Sequence, residues 1–83
     1  MGKSLARLTL EALATREDGA WGPMTPLIKR HRLVGRSVFV ELIRLEASGF
    51  VRSRAAERWT RQGRKEEYQI TSEGRAALLR DDL

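Results

Sequence analysis

The sequence predicts an α+β fold in which three helices precede a two-stranded antiparallel hairpin and a short closing helix, and three observations carry that prediction. Val38, Leu42 and Leu45 recur at i, i+4 and i+7 within VFVELIRLEA, the period of a helix with one buried face. Gly49 stops that helix, and the runs FVRSRAAERW and KEEYQIT that follow alternate in character on either side of a short loop, as two paired strands do. The third observation is charge. Between Lys29 and Lys65 stand eleven Lys/Arg against three acids, eleven minus three or +8, so the rest of the +5 chain sums to −3. One half of the chain is therefore suited to a polyanion, and nucleic acid is the expected one.

Eighty-three residues are expected to form a single domain, residues 1–83, that buries roughly 60 to 65% of the surface of its unfolded chain. With 41% hydrophobic and 33% charged residues the composition is that of a globular chain rather than a disordered one. No apolar run is long enough to span a membrane and no signal-peptide core is present, so a cytoplasmic location is expected. The competing polyanion, an anionic membrane surface, calls for a long helix with a basic face opposite a free apolar one, and none is read here. Cysteine is absent and histidine occurs once, which leaves no disulfide and too few ligands for zinc. No nucleophile with a base, no phosphate loop and no paired acidic motif stands out, so neither an enzyme nor a cofactor is expected.

Taken in order, residues 4–16 read as the first helix, with Ser4 as N-cap. Leu5, Leu8 and Ala12 form one stripe while Leu10 and Leu13 lie well round from it, so Leu10 faces either a second chain or the C-terminal helix of its own. After a turn at Glu17, Asp18 and Gly19, Ala20-Trp21 reads as a very short strand with Trp21 as a lid on the core. Thr25-Pro26 opens the second helix, Thr25 as cap and Pro26 at the first helical position. Leu27, Ile28 and His31 point inward from it; Lys29, Arg30 and Arg32 point out. Leu33-Val34-Gly35 is the tight connection, with Gly35 as N-cap or as the turn itself. In the third helix Phe39 and Ile43 widen the buried stripe, opposite a narrow polar face of Ser37, Glu41, Arg44 and Ser48 with Arg36 at its edge.

In the hairpin Arg52, Arg54 and Arg58 share one strand face, and Val51, Ser53, Ala55 and Trp59 the other. Thr60 to Arg64 forms the loop, and Tyr68 and Ile70 share a face of the return strand. Thr71 or Ser72 caps the last helix, whose Ala77, Leu78 and Leu79 close the core.

Two helices joined by a tight turn and followed by such a hairpin make a winged helix-turn-helix: a three-helix core, a two-stranded β wing and a short C-terminal helix. The segments VFVELIRLEASGFVRSR and YQITSEGRAAL resemble those of the PadR-like and MarR-like transcriptional regulators, and the resemblance runs from about Leu5 to Leu79. It implies a sequence-specific double-stranded-DNA-binding regulator, a repressor, acting as a homodimer through helix 1 or the C-terminal end. The recognition helix, about 36–48, would lie in the major groove, and the wing, about 50–71, on the adjacent backbone or minor groove. Three departures stand out: Val34-Gly35 replaces the usual Ser or Thr at the start of the recognition helix, and of the paired wing aromatics only Tyr68 is present. The chain also ends at Leu83, short of the usual dimerisation helix, and no small-molecule effector site is evident.

On that resemblance Arg36 is the candidate for paired contacts with guanine O6 and N7. Ser37 meets a phosphate or caps its helix, Val40 and Arg44 face the groove, and Glu41 accepts from cytosine N4 or orients Arg44 through the i, i+3 spacing. Arg61 and Arg64 flank Gly63 to reach the minor groove or its phosphates, with Arg58 and Lys65 at the wing's base and Arg54 nearby. Lys29, Arg30 and Arg32, with Thr25, serve as backbone clamps. Two other readings remain open: a winged-helix module that binds protein, and a sequence-blind architectural or replication accessory DNA binder.

Overall fold

The computed structural model describes residues 2–60, 63–81 and 83, and the side chains of all of these except residues 57–60 and 63–65. The order is α1 (Leu5–Ala14), α2 (Thr25–Arg30), α3 (Gly35–Ala47), β1 (Val51–Thr60), β2 (Gly63–Ile70) and α4 (Ser72–Arg80). This is the α+β winged helix-turn-helix that the sequence pattern predicts. Ser4 caps α1 by accepting from the Arg7 N–H at 3.1 Å, and the helix turns Leu10, Ala12 and Leu13 wholly inward. Leu10 therefore belongs to the core of its own chain. Thr9, a buried polar side chain of that helix, donates to the Leu5 carbonyl at 2.8 Å, which offsets the cost of its burial.

The core runs from α1 across Met24 and Leu27 to Val38, Leu42 and Leu45 of α3, and ends on Val51, Ile70 and Ala77. α3 closes as its sequence demands. Gly49 takes φ +83°, the Gly49 N–H donates to Glu46 O at 3.0 Å and the Phe50 N–H to Leu45 O at 2.9 Å, a Schellman ending that turns the chain straight into β1. α2 ends in the same pattern, with Leu33 N–H on Ile28 O at 2.9 Å, but there the left-handed residue is Arg32 at φ 54°. Arg32, not Gly35, thus makes the turn between the two helices, and Gly35 is simply the first helical residue. An arginine in that backbone region costs about 1 kcal/mol relative to glycine.

β1 and β2 pair antiparallel, Val51 opposite Ile70 and Ser53 opposite Tyr68, out to Thr60 opposite Gly63. The loop read at Thr60 to Arg64 is accordingly shorter, with Gly63 inside β2. A register shift between Ala55 and Trp59 breaks the alternation. The strand faces assigned from sequence hold as far as Ala55, and the side chains of Arg58 and Trp59 lie outside the described ones. A two-way bridge between Gly22 and Tyr68, with N···O distances of 2.8 and 3.3 Å, adds the segment after α1 to the free edge of β2. The short strand expected at Ala20-Trp21 is thus a single bridge one residue later.

The step into α4 depends on two residues. Thr71 Oγ1 accepts from the Gly74 N–H at 3.0 Å, as an N-cap, and donates to Gly49 O at 2.7 Å, which ties the helix start to the end of α3. Gly74 has no room for a side chain: a Cβ there would lie 2.3 Å from the Phe50 carbonyl oxygen. Ala77 is buried and Leu78 partly so, whereas Leu79 is 89% exposed and takes no part in the core it was expected to close. Arginines lock α4 to α1 from both ends. Arg75 donates to the carbonyls of Ala14 and Arg16 and pairs with Asp18 at 2.8 Å, while Arg7 reaches Leu78 O and Asp81.

Candidate nucleic-acid interface

Burying Val38, Leu42 and Leu45 decides which face of α3 is presented. With 100° per residue the opposite stripe is Arg36, Val40, Ile43 and Ala47, all of them exposed. Ile43, expected in the buried stripe, is 72% exposed, and Val40 is 48% exposed. Phe39 is likewise only half covered, its ring tilted against Tyr68 with centroids 6.4 Å apart. The polar face read from sequence is therefore the flank of the presented surface. Hydrophobicity misled the reading of Ile43, although its spacing from Val38 and Leu42 already places it on the far side.

Glu41 sits on that flank, its side chain 18% exposed, and accepts from Arg44 Nη1 at 3.3 Å while Arg44 stays 73% exposed. The acid thus lies beside the face instead of at its centre, and its charge is met within one turn. Val34 occupies the N-cap position without a side-chain bond to the first turn. Ser37, two residues inside the helix, is exposed and does not cap it, so the capping alternative for Ser37 falls away. Among the described residues no side chain caps the first turn of α3.

Beside this face α2 presents Thr25, Lys29, Arg30 and, just past its end, Arg32, all exposed; His31 is exposed as well, not turned inward. Thr25 is the first residue of α2, with buried Met24 in the cap position, because the Thr-Pro pair enters the helix one residue earlier than its capping preference implies. Among the described residues Lys29, Arg30, Arg32 and Arg36 make no ion pair, whereas Lys3, Arg7, Arg44, Arg54 and Arg75 each do. Arg16, too, is held in place: its guanidinium lies against Gly22 and donates to the Pro23 carbonyl. Burial pushes its pKa down from the ordinary value, with Glu67 opposing and Arg30 adding to the shift. Arg7, Arg16 and Arg75, on the α1 and α4 side, are structural. The cations of α2 and the start of α3 are unspent.

The hairpin divides into two faces. Ser53 and Tyr68 lie on the α3 side, where Ser53 donates to Glu46 at 2.5 Å and the Tyr68 hydroxyl to Glu66 at 3.3 Å. Burial first, then the neighbouring Glu66, raises the Tyr68 phenol to about 12. Arg52 and Arg54 lie on the other face, over the Trp21 ring at 5.8 and 4.4 Å, and Arg54 pairs with Glu67 at 2.9 Å. Trp21 is thus a platform for two arginines, a role that sequence reading missed. Its signal was the pair of arginines two apart on one strand face. Arg54 thus lies on the hairpin face away from the Ser53 and Tyr68 contacts with α3. Arg61 lies outside the described residues, as do the side chains of Arg58, Arg64 and Lys65.

A helix-turn-helix with an exposed second helix, an uncovered basic flank and a β wing defines the winged helix-turn-helix class. Within it the fold is of the PadR type: the chain is similar to a PadR family transcription regulator from Clostridium difficile R20291, with a TM-score of 0.72 over 94% of this chain and 82% of that one. Sequence identity between the two is 19%, so the likeness is one of fold. No family model matches the sequence, and no curated protein does. Among the described residues no helix is long and apolar enough to cross a membrane, and no cluster of three His, Cys, Asp or Glu side chains is placed to hold a metal ion.

Proposed function

We propose that the chain is a sequence-specific double-stranded-DNA-binding transcriptional regulator, with α3 in the major groove, Lys29, Arg30 and Arg32 on the phosphate backbone and the wing on the adjacent backbone or minor groove. The observation that carries this is the division of the cations among the described residues: Lys3, Arg7 and Arg75 are ion-paired on the α1 and α4 side, whereas Lys29, Arg30, Arg32 and Arg36 make no ion pair. Arg36 reads guanine O6 and N7 from the N-terminal end of the presented stripe. Glu41 holds Arg44 in orientation across 3.3 Å. Repression follows from occupancy of a site, and the active form is a homodimer joined at the C-terminal end, where Leu79 stands exposed while Leu10 and Leu13 are spent in the core. The whole of residues 1–83 acts as one DNA-binding domain in a cytoplasmic setting.

A winged-helix module that docks on protein is the second reading, and the exposed Val40 and Ile43 are what favour it. Selection of the protein on a random duplex library near physiological salt separates the two. Enrichment of a two-fold motif with half-sites about one helical turn apart is the result expected of a dimeric regulator. Retention without a motif would leave a sequence-blind backbone binder, and no retention would leave the protein-docking reading.

A further inference from the structure

We infer that Val40 and Ile43 read thymine by packing on its C5 methyl group, which makes them specificity-determining residues; the inference rests on the DNA-binding reading above. Arg36, Val40, Ile43 and Ala47 follow i, i+4, i+7 and i+11 and so form one stripe along α3. Its two branched apolar side chains stand 48% and 72% exposed, and both lie on the side of α3 opposite the buried Val38, Leu42 and Leu45. In the major groove the apolar group that a base pair presents is the thymine methyl. Set against guanine or cytosine instead, the same side chains would desolvate base-edge donors and acceptors without replacing their hydrogen bonds. The stripe therefore favours A·T pairs at its middle and, through Arg36, guanine at its N-terminal end.

Charge selects DNA over a protein as the occupant. Arg36 and Arg44 border the apolar pair, Lys29, Arg30 and Arg32 extend the basic field on the neighbouring helix, and of the two acids of α3 Glu41 is bonded to Arg44 and Glu46 to Ser53.

The test is the same selection run in parallel on two random duplex libraries, one synthesised with thymidine and one with deoxyuridine in its place. The thymidine library should yield fixed A·T pairs at the centre of each half-site. In a winning duplex, deoxyuridine at those positions should weaken binding about fourfold per methyl removed. Ile43→Ala, a change at an exposed position, should lessen that preference, and the Val40→Ala, Ile43→Ala double variant should bind the two duplexes alike. Folding does not enter the thymidine-uridine comparison, because the protein is unaltered. Equal affinities of the unaltered protein for both duplexes would overturn the thymine reading alone, and so would an undiminished thymidine preference in the Val40→Ala, Ile43→Ala double variant. Retention of no duplex from either library, even at low salt, would overturn the DNA-binding reading with it.

Discussion

Gly74, Arg32 and Tyr68 show how much single residues decide in so small a chain. At Gly74 a methyl group would meet backbone, the Phe50 carbonyl at 2.3 Å, and backbone cannot swing aside as a side chain can. Gly74→Ala is expected to cost about 1 to 3 kcal/mol, read as a fall in the urea midpoint. Arg32 is the opposite case, a residue held against its backbone preference at φ 54°. Arg32→Gly should therefore stabilise the fold by about 1 kcal/mol while weakening duplex binding; an unchanged affinity would remove Arg32 from the backbone clamp. Tyr68 is the chain's one tyrosine, so absorbance titration of the phenolate reports it alone. Its midpoint should fall near 12, not at the ordinary 10. The folded state holds this proton more tightly than the unfolded one, so its contribution to stability is complete below pH 10 and lost as pH rises through about 12. These residues were unequally legible. The cap was legible as Thr71 or Ser72, the crowding at Gly74 depends on Phe50 and was not, and the left-handed Arg32 had no signature, because arginine ordinarily avoids that conformation.

At the scale of elements, periodicity set out α1, α3 and both strands, and start signals at Thr25-Pro26 and Thr71-Ser72 set out α2 and α4. What they missed were relations between elements. Trp21 was read as a lid because a large aromatic ordinarily covers a core; only the bridge of Gly22 to Tyr68 brings it under Arg52 and Arg54. Ile43 was read as core because it is apolar, whereas its angle on α3 puts it opposite Val38. The clasp between α1 and α4 was invisible for the same reason, being made of arginines that reach carbonyls 59 and 61 residues away. Arg75→Ala removes those bonds together with the Asp18 pair and is expected to cost about 1 to 3 kcal/mol, most of it from the carbonyls left unpartnered at the end of α1. Denaturant unfolding checks this. A loss below about 0.5 kcal/mol, the range of ordinary surface changes, would mean the clasp is incidental.

Over the whole molecule the decisive feature is where the uncompensated charge lies. A net charge of +5 is modest, but among the described residues Lys3, Arg7 and Arg75 are ion-paired on the α1 and α4 side, whereas Lys29, Arg30, Arg32 and Arg36 across α2 and the start of α3 make no ion pair. If the dimer neutralises about 6 to 10 phosphates, duplex affinity should fall about 10³- to 10⁵-fold between 50 and 200 mM salt. A nearly flat response would move the basic field from function to solubility. Specificity is then a property of the α3 stripe and positioning a property of α2, and the two are separable. The most direct measurement compares Arg36→Ala with Lys29→Ala, each titrated with the selected duplex and with a scrambled duplex of the same length. Arg36→Ala should lower the ratio of the two affinities by about 5- to 150-fold. Lys29→Ala should weaken both duplexes alike and leave the ratio unchanged. Identical behaviour of the two variants would contradict the assignment of α3 as the reading element.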